Sequence, residues 1–202
     1  MRSGLMGGTF DPIHLGHLDI AQKALDQLGL DRVIFLPDGD PPHKSPRATG
    51  AQRLKMCELA CENRPGFEVS DMELRRLGTT YTVDTLRAIR RERPGEQLVY
   101  LIGSDTLYWF PTWKTAHEVA KLCRMAIVLR PGDDPTDVEK KQAELKASHG
   151  LDSVMLTGEG LPISSGMVRE AAQNKEDLLR FVPEKVAAYI EEQELYVLKE
   201  ER

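Results

Sequence analysis

Hydrophobic positions along the 202-residue chain follow two alternating periods. Short apolar runs bounded by turn residues predict strands. They are Gly4-Leu5-Met6, Arg32 to Leu36 closed by Pro37, Leu98 to Ile102, Met125 to Leu129 and Val154-Met155-Leu156, with a weaker one at Phe67 to Ser70. Between them the apolar residues recur at helical spacing. Leu18, Ala21, Leu25 and Leu28 form one stripe, ended by Gly29 as a C-terminal cap. Residues 51–63 form a second helix, broken by Pro65-Gly66. Val83, Leu86 and Ile89 form a third, with Thr79, Thr80 and Thr82 as cap hydroxyls ahead and Pro94-Gly95 behind. Residues 115–122 and the polar stretch 135–149 read as helices. So do a segment starting at Ser164-Ser165 and one from Pro183 through Val186 and Ile190 to Glu194. Residues 38–50 hold three prolines and basic side chains and read as a loop, and 107–113 is a short aromatic segment.

Strands alternating with helices imply an α/β, Rossmann-like doubly wound parallel sheet with helices on both faces. The length fits a single domain, 1–202, with a small C-terminal helical part at about 163–202. No repeat or interdomain linker interrupts it. Ligands of such sheets bind at the carboxyl ends of the strands, near the point where strand order reverses. The chemically distinctive residues fall at such ends: Gly7 to His17, Gly103 to Asp105, Arg130, and Ser164 to Arg169.

Composition narrows the function. Hydrophobic residues make up 41% and charged residues 29%, ordinary for a globular protein, and the net charge is −5. A nucleic-acid partner is disfavoured, since duplex binders are usually basic. No apolar run reaches the length of a membrane span, and Met1-Arg2-Ser3-Gly4 lacks a signal-peptide core. The three cysteines, Cys57, Cys61 and Cys123, form no CxxC pair. Reduced thiols, no structural zinc and a cytoplasmic setting are expected.

The stretch Gly7-Gly8-Thr9-Phe10-Asp11-Pro12-Ile13-His14-Leu15-Gly16-His17 reads as strand, glycine-rich turn and helix start. Glycines allow backbone N–H groups close to a phosphate, and a helix N-terminus adds unpaired donors. The two imidazoles share one side of the first turn. No Gly-Lys-Ser/Thr follows, so this is not a kinase-type P-loop, and the dinucleotide GxGxxG pattern is missing.

Gly8 to Pro12 with His14-Leu15-Gly16-His17 resembles the HxGH motif of nucleotidyltransferases. Ile163-Ser164-Ser165-Gly166-Met167-Val168-Arg169 resembles their second motif, with Gly166 in place of the usual threonine. Further stretches resemble the bacterial nicotinate-nucleotide adenylyltransferases: Pro41-Pro42-His43-Lys44, Thr80 to Leu86, Gly103-Ser104-Asp105, Phe110 to Trp113, and the ending from Tyr189 to Tyr196. Together they cover nearly the whole chain.

The resemblance implies adenylyl transfer from ATP to nicotinate mononucleotide, giving deamido-NAD and pyrophosphate. His14, His17 and Arg169 would be catalytic, stabilising charge on the phosphates. ATP would contact Gly7, Gly8, Thr9, Phe10, His14, His17, Gly103, Asp105, Ile163, Ser164, Ser165 and Arg169. The mononucleotide would contact Lys44, Tyr81, Thr82, Asp105, Trp113 and Arg130. Mg2+ would be carried mainly by the ATP phosphates, with no protein metal site. Nicotinamide mononucleotide or phosphopantetheine as acceptor stays open, as does a non-catalytic nucleotide sensor. The two histidines and the arginine argue for catalysis. Association into a homo-oligomer is also left open.

Overall fold

A computed structural model describes residues 1–39 and 46–197. Its strands are β1 (Arg2–Gly8), β2 (Arg32–Pro37), β3 (Phe67–Val69), β4 (Gln97–Gly103), β5 (Arg124–Leu129) and β6 (Ser153–Glu159). They form one six-stranded sheet in the order β3-β2-β1-β4-β5-β6. Every adjacent pair is parallel. The chain winds outward from β1 through β2 to β3, then returns to β4 on the other side of β1. The order therefore reverses between β1 and β4, which opens a crevice at their carboxyl ends.

The helices are α1 (Leu15–Leu28), α2 (Gly50–Cys61), α3 (Thr82–Glu92), α4 (Ser104–Trp109), α5 (Ala116–Leu122), α6 (Pro135–His149), α7 (Ser165–Gln173) and α8 (Glu184–Glu192). Side chains alternate across each strand and so divide between two cores. Met6, Val33, Phe35, Val99, Leu101, Ala126 and Val128 face one core with α1, α2, α7 and α8. Leu5, Ile34, Leu36, Leu98, Tyr100, Ile102, Met125 and Ile127 face the other with α3, α5 and α6. The doubly wound expectation holds, and Gly29 caps α1 in the left-handed conformation at φ 59°. Cys57, Cys61 and Cys123 are free thiols, all buried. Among the described residues no helix is long and apolar enough to cross a membrane.

Two local expectations are corrected, for α3 and β6, and the aromatic segment between β4 and α5 gains its structure. The threonines before α3 do not cap it: Tyr81 occupies the cap position and makes no side-chain cap bond. Thr80 is buried beside Gly39, and the Thr82 side chain is turned to the Tyr100 hydroxyl. The aromatic segment is helical, with α4 leading into a 3-10 turn, Phe110–Thr112, that buries Phe110. Strand β6 runs through Glu159, because a register shift beside Ile127 and Leu129 lets the polar Thr157–Glu159 end pair with β5.

Candidate active site

The glycine-rich turn leaves the end of β1 and enters α1 at His14, the cap residue. His14 is buried, and its ring stacks on that of His17 with centroids 3.7 Å apart. The His14 backbone N–H donates to Nδ1 of His17 at 3.2 Å. Since Nδ1 accepts, a neutral His17 carries its proton on Nε2, the nitrogen on the far side of the ring. Phe10 meets His17 edge-on at 5.0 Å. Phe10 reaches that position with φ at 48°, a strained conformation for a non-glycine residue. Burial, and after it the charge of Arg130, lower the His14 pKa to about 4. His14 is therefore a neutral imidazole at physiological pH. Its buried Nδ1 has no hydrogen-bond partner among the described residues.

Gly16 separates the two histidines for a steric reason. A Cβ there would lie 3.0 Å from His14 Nδ1 and 3.5 Å from the carbonyl oxygen of Ile163. The glycine thus leaves room for the buried His14 ring, while the contact to Ile163 of the second motif would be an ordinary one. Ser164 caps α7, its hydroxyl accepting from the Met167 N–H at 3.3 Å. Ser165 Oγ donates to the Pro12 carbonyl at 2.8 Å, and Arg169 Nη1 donates to the Asp11 carbonyl at 2.6 Å. The two motifs are joined through main-chain carbonyls of the turn. A Cβ on Gly166 would meet only Ser164 Oγ, at 3.5 Å, an ordinary contact, so a β-carbon is tolerated there.

On the other side of the crevice, β4 ends at Gly103. Asp105 and Arg130 pair there, Nε to Oδ1 at 3.1 Å. A Cβ at Gly103 would fall 2.4 Å from Asp105 Oδ1 and 2.8 Å from Arg130 Nε, so the ion pair occupies the space a side chain there would take and would have to shift. The Arg130 N–H donates to Ser104 Oγ at 3.0 Å and fixes the base of that loop.

These elements enclose a cleft of about 620 Å³. Every residue assigned above to ATP lines it, as do Thr82, Asp105, Trp113 and Arg130 from the mononucleotide set. Tyr81 does not. It faces an adjoining cavity of about 770 Å³ that shares Thr82 and Trp113 with the first, and Lys114 Nζ lies 3.9 Å above its ring. Trp113 is held edge-on to Tyr100 at 5.8 Å. Lys44 and His43 lie outside the described residues.

Two side chains have duties other than those first assigned. The Thr9 hydroxyl donates to Asp38 Oδ2 at 2.9 Å, so Thr9 offers the cleft its backbone. The Ser165 hydroxyl is committed to Pro12. Beneath the turn lies Arg53, 1% exposed, which donates to the Thr9 carbonyl at 2.7 Å and to Asp38 Oδ1 at 2.9 Å. Arg53, Asp11 and Tyr100 were missed by sequence reading. Only the arginine left a signal, a lone charge on the buried stripe of α2.

A family model for cytidylyltransferase-like proteins matches residues 5–171. A protein of Dehalococcoides mccartyi named "Probable nicotinate-nucleotide adenylyltransferase" is 40% identical over 97% of both chains. A protein of Geobacter metallireducens bearing the same name is 39% identical over 97% of this chain and 98% of its own. The fold matches that of the Plasmodium falciparum nicotinic acid mononucleotide adenylyltransferase complexed with NaAD. The TM-score is 0.78 at 17% identity, over 96% of this chain and 97% of the other. The chain belongs to the cytidylyltransferase-like family and, within it, to the nicotinate-nucleotide adenylyltransferases.

Proposed function

We propose that this protein transfers the adenylyl group of ATP to nicotinate mononucleotide, forming deamido-NAD and pyrophosphate in NAD biosynthesis. The whole chain acts as one nucleotidyltransferase unit, its C-terminal helices supplying the second motif. The observation that carries this reading is the convergence of His14, His17 and Arg169 on one cleft from opposite ends of the sequence.

A phosphate oxygen of the mononucleotide bonds to the α-phosphorus of ATP. The bond from that phosphorus to the bridging oxygen breaks, and pyrophosphate leaves with the electron pair. Such transfer calls for alignment and charge stabilisation rather than a protein nucleophile. His17 donates through Nε2 to a phosphoryl oxygen as charge builds there, and neutral His14 supports it by stacking. Arg169, anchored at Asp11 by one nitrogen, holds the leaving pyrophosphate with the rest of its fork. Arg130 receives the mononucleotide phosphate, Asp105 a ribose hydroxyl, and Trp113 the pyridine ring.

The polar lining of the cleft is imidazole, guanidinium, hydroxyl and backbone N–H, with two carboxylates that are already engaged, Asp11 by Arg47, Ala48 and Tyr196 and Asp105 by Arg130. Among the described residues no three or more His, Cys, Asp or Glu gather as a metal cage. The imidazole, guanidinium and N–H donors fit phosphate oxygens, and magnesium would enter as part of the ATP substrate, held by phosphate and water.

Pyrophosphate release with magnesium and ATP tests the reading, with nicotinate mononucleotide, nicotinamide mononucleotide and phosphopantetheine compared as acceptors. Release is expected to be fastest with nicotinate mononucleotide. Preference for either of the others would overturn the acceptor, and no release with any would overturn the activity.

A further inference from the structure

The ending of the chain carries a tyrosine that the reaction above does not use. After α8 the backbone turns through Glu194 and Tyr196, both with positive φ (49° and 68°). Such conformations are costly outside glycine and persist where the surroundings enforce them. Here they drive Tyr196 inward to 7% exposure. Its hydroxyl donates to Oδ1 of Asp11 at 2.8 Å, across 185 positions of sequence.

Asp11 is the residue where the site's parts meet. Its Oδ1 also accepts from the Ala48 N–H at 3.1 Å, and its Oδ2 from the Arg47 N–H at 2.8 Å. Its carbonyl receives Arg169 Nη1 at 2.6 Å. Its neighbours in sequence are Phe10, which packs on His17, and Pro12, which anchors Ser165. A shift of Asp11 therefore moves the arginine of the second motif and the histidine turn together. Burial and the adjacent carboxylate keep the Tyr196 phenol protonated, so it stays a donor.

We propose that Tyr196 is a positioning residue for adenylyl transfer, acting through Asp11 to hold Arg169 in register with the histidine pair. The inference rests on the adenylyltransferase reading, since it assigns Arg169 to the leaving pyrophosphate. The hydroxyl contributes to the rate without touching substrate, because sub-ångström misplacement of a charge-stabilising group lowers turnover more than binding.

The test is Tyr196→Phe in the full-length protein, which keeps the ring and removes one O–H. Steady-state kinetics with ATP and nicotinate mononucleotide are measured beside thermal unfolding. Turnover is expected to fall about tenfold, with both KM values within about twofold of wild type and the protein folded at assay temperature. Repeating the substitution in an Arg169→Lys background should change turnover less than about twofold, since lysine cannot keep the anchored fork. Unchanged turnover in Tyr196→Phe, or an equal fall in both backgrounds, overturns the proposal. An inactive wild-type protein would instead overturn the reaction itself, which separates the two failures.

Discussion

Gly7 of β1 and Tyr100 of β4 face each other across the strand-order reversal, and a Cβ on Gly7 would lie 2.2 Å from the tyrosine hydroxyl oxygen. In sequence the glycine reads as a phosphate-loop residue. In the fold it also makes space for a buried phenol that the Thr82 side chain hydrogen-bonds. The pair ties the end of β1 to the start of α3, and so links the two sides of the cleft.

Gly7→Ala should therefore destabilise the protein by about 1–3 kcal/mol, the usual cost of overpacking a core. Its turnover should fall as well. Tyr100→Phe in the same chain should restore most of the stability, because the next nearest atom, Cζ, lies 3.2 Å from the added carbon. Thermal unfolding of the two single variants and the double variant checks this. Equal losses in Gly7→Ala with and without the tyrosine hydroxyl would show that the clash is not the cause.

The fold was legible because its signals are local. The apolar runs of β2 and β4, the stripe of α1, Gly29 and the Ser164 cap each depend on a few adjacent residues. The cleft was legible for a second reason: strand ends converge in a doubly wound sheet, so motifs at those ends had to meet. Long-range side-chain partners left no such trace. Nothing near Thr9 in sequence announces that its hydroxyl bonds Asp38, nor near Ser165 that its hydroxyl bonds Pro12. Tyr100 reads as one more apolar strand residue, and Asp11 as half of a turn. Their roles arise from contacts made across the fold, which no local period records.

His17 carries a prediction that follows from its tautomer. Nδ1 accepts from the His14 backbone, so a neutral His17 donates through Nε2–H. His17→Ala should lower turnover by about 10²–10³-fold, the usual effect of removing a donor to a developing charge, while ATP affinity changes far less. Glutamine, whose amide nitrogen reaches where Nε2 stood, should recover more rate than asparagine. Single-turnover rates and equilibrium ATP binding separate the two effects, and near-normal turnover in the alanine variant would contradict the role.

His14 should report through stability. Its pKa falls from 6.5 unfolded to about 4 folded, chiefly through burial, with Arg130 adding to it. Between those values the unfolded chain takes up a proton that the folded protein refuses. Stability is thus full above about pH 6.5 and declines as the pH falls towards 4, by about 3 kcal/mol in all. His14→Asn should remove that part of the slope. Urea unfolding of both proteins between pH 7 and 4.5 tests it, and a constant difference across the range would mean that His14 does not titrate as its burial requires.

Glu73 makes the opposite prediction at the alkaline end. It lies 5% exposed in the segment joining β3 to α3, where Thr85 Oγ1 donates to its Oε1 at 2.6 Å. Arg76 bonds the same threonine oxygen at 3.1 Å, and Gly39 packs against the Glu73 carbonyl. Burial raises its pKa from 4.5 to about 7. The Thr85 bond and the charge of Arg76 work against that rise, and Asp38 adds to it. The folded protein therefore holds this proton more tightly than the unfolded chain. The stability so gained is complete below pH 4.5 and is lost as the pH climbs through 7, an amount of about 3 kcal/mol. Glu73→Gln keeps an oxygen for Thr85 and carries no charge. It should match wild type near pH 5 and exceed it at pH 8. The same substitution should leave the acceptor KM flat from pH 6 to 8 where the wild-type value rises, because the Glu73 segment leads directly into Thr80–Thr82. Parallel unfolding curves for the two proteins at pH 5 and pH 8 would show that the carboxyl group is ionised throughout and that the buried bond to Thr85 suffices to hold the charge.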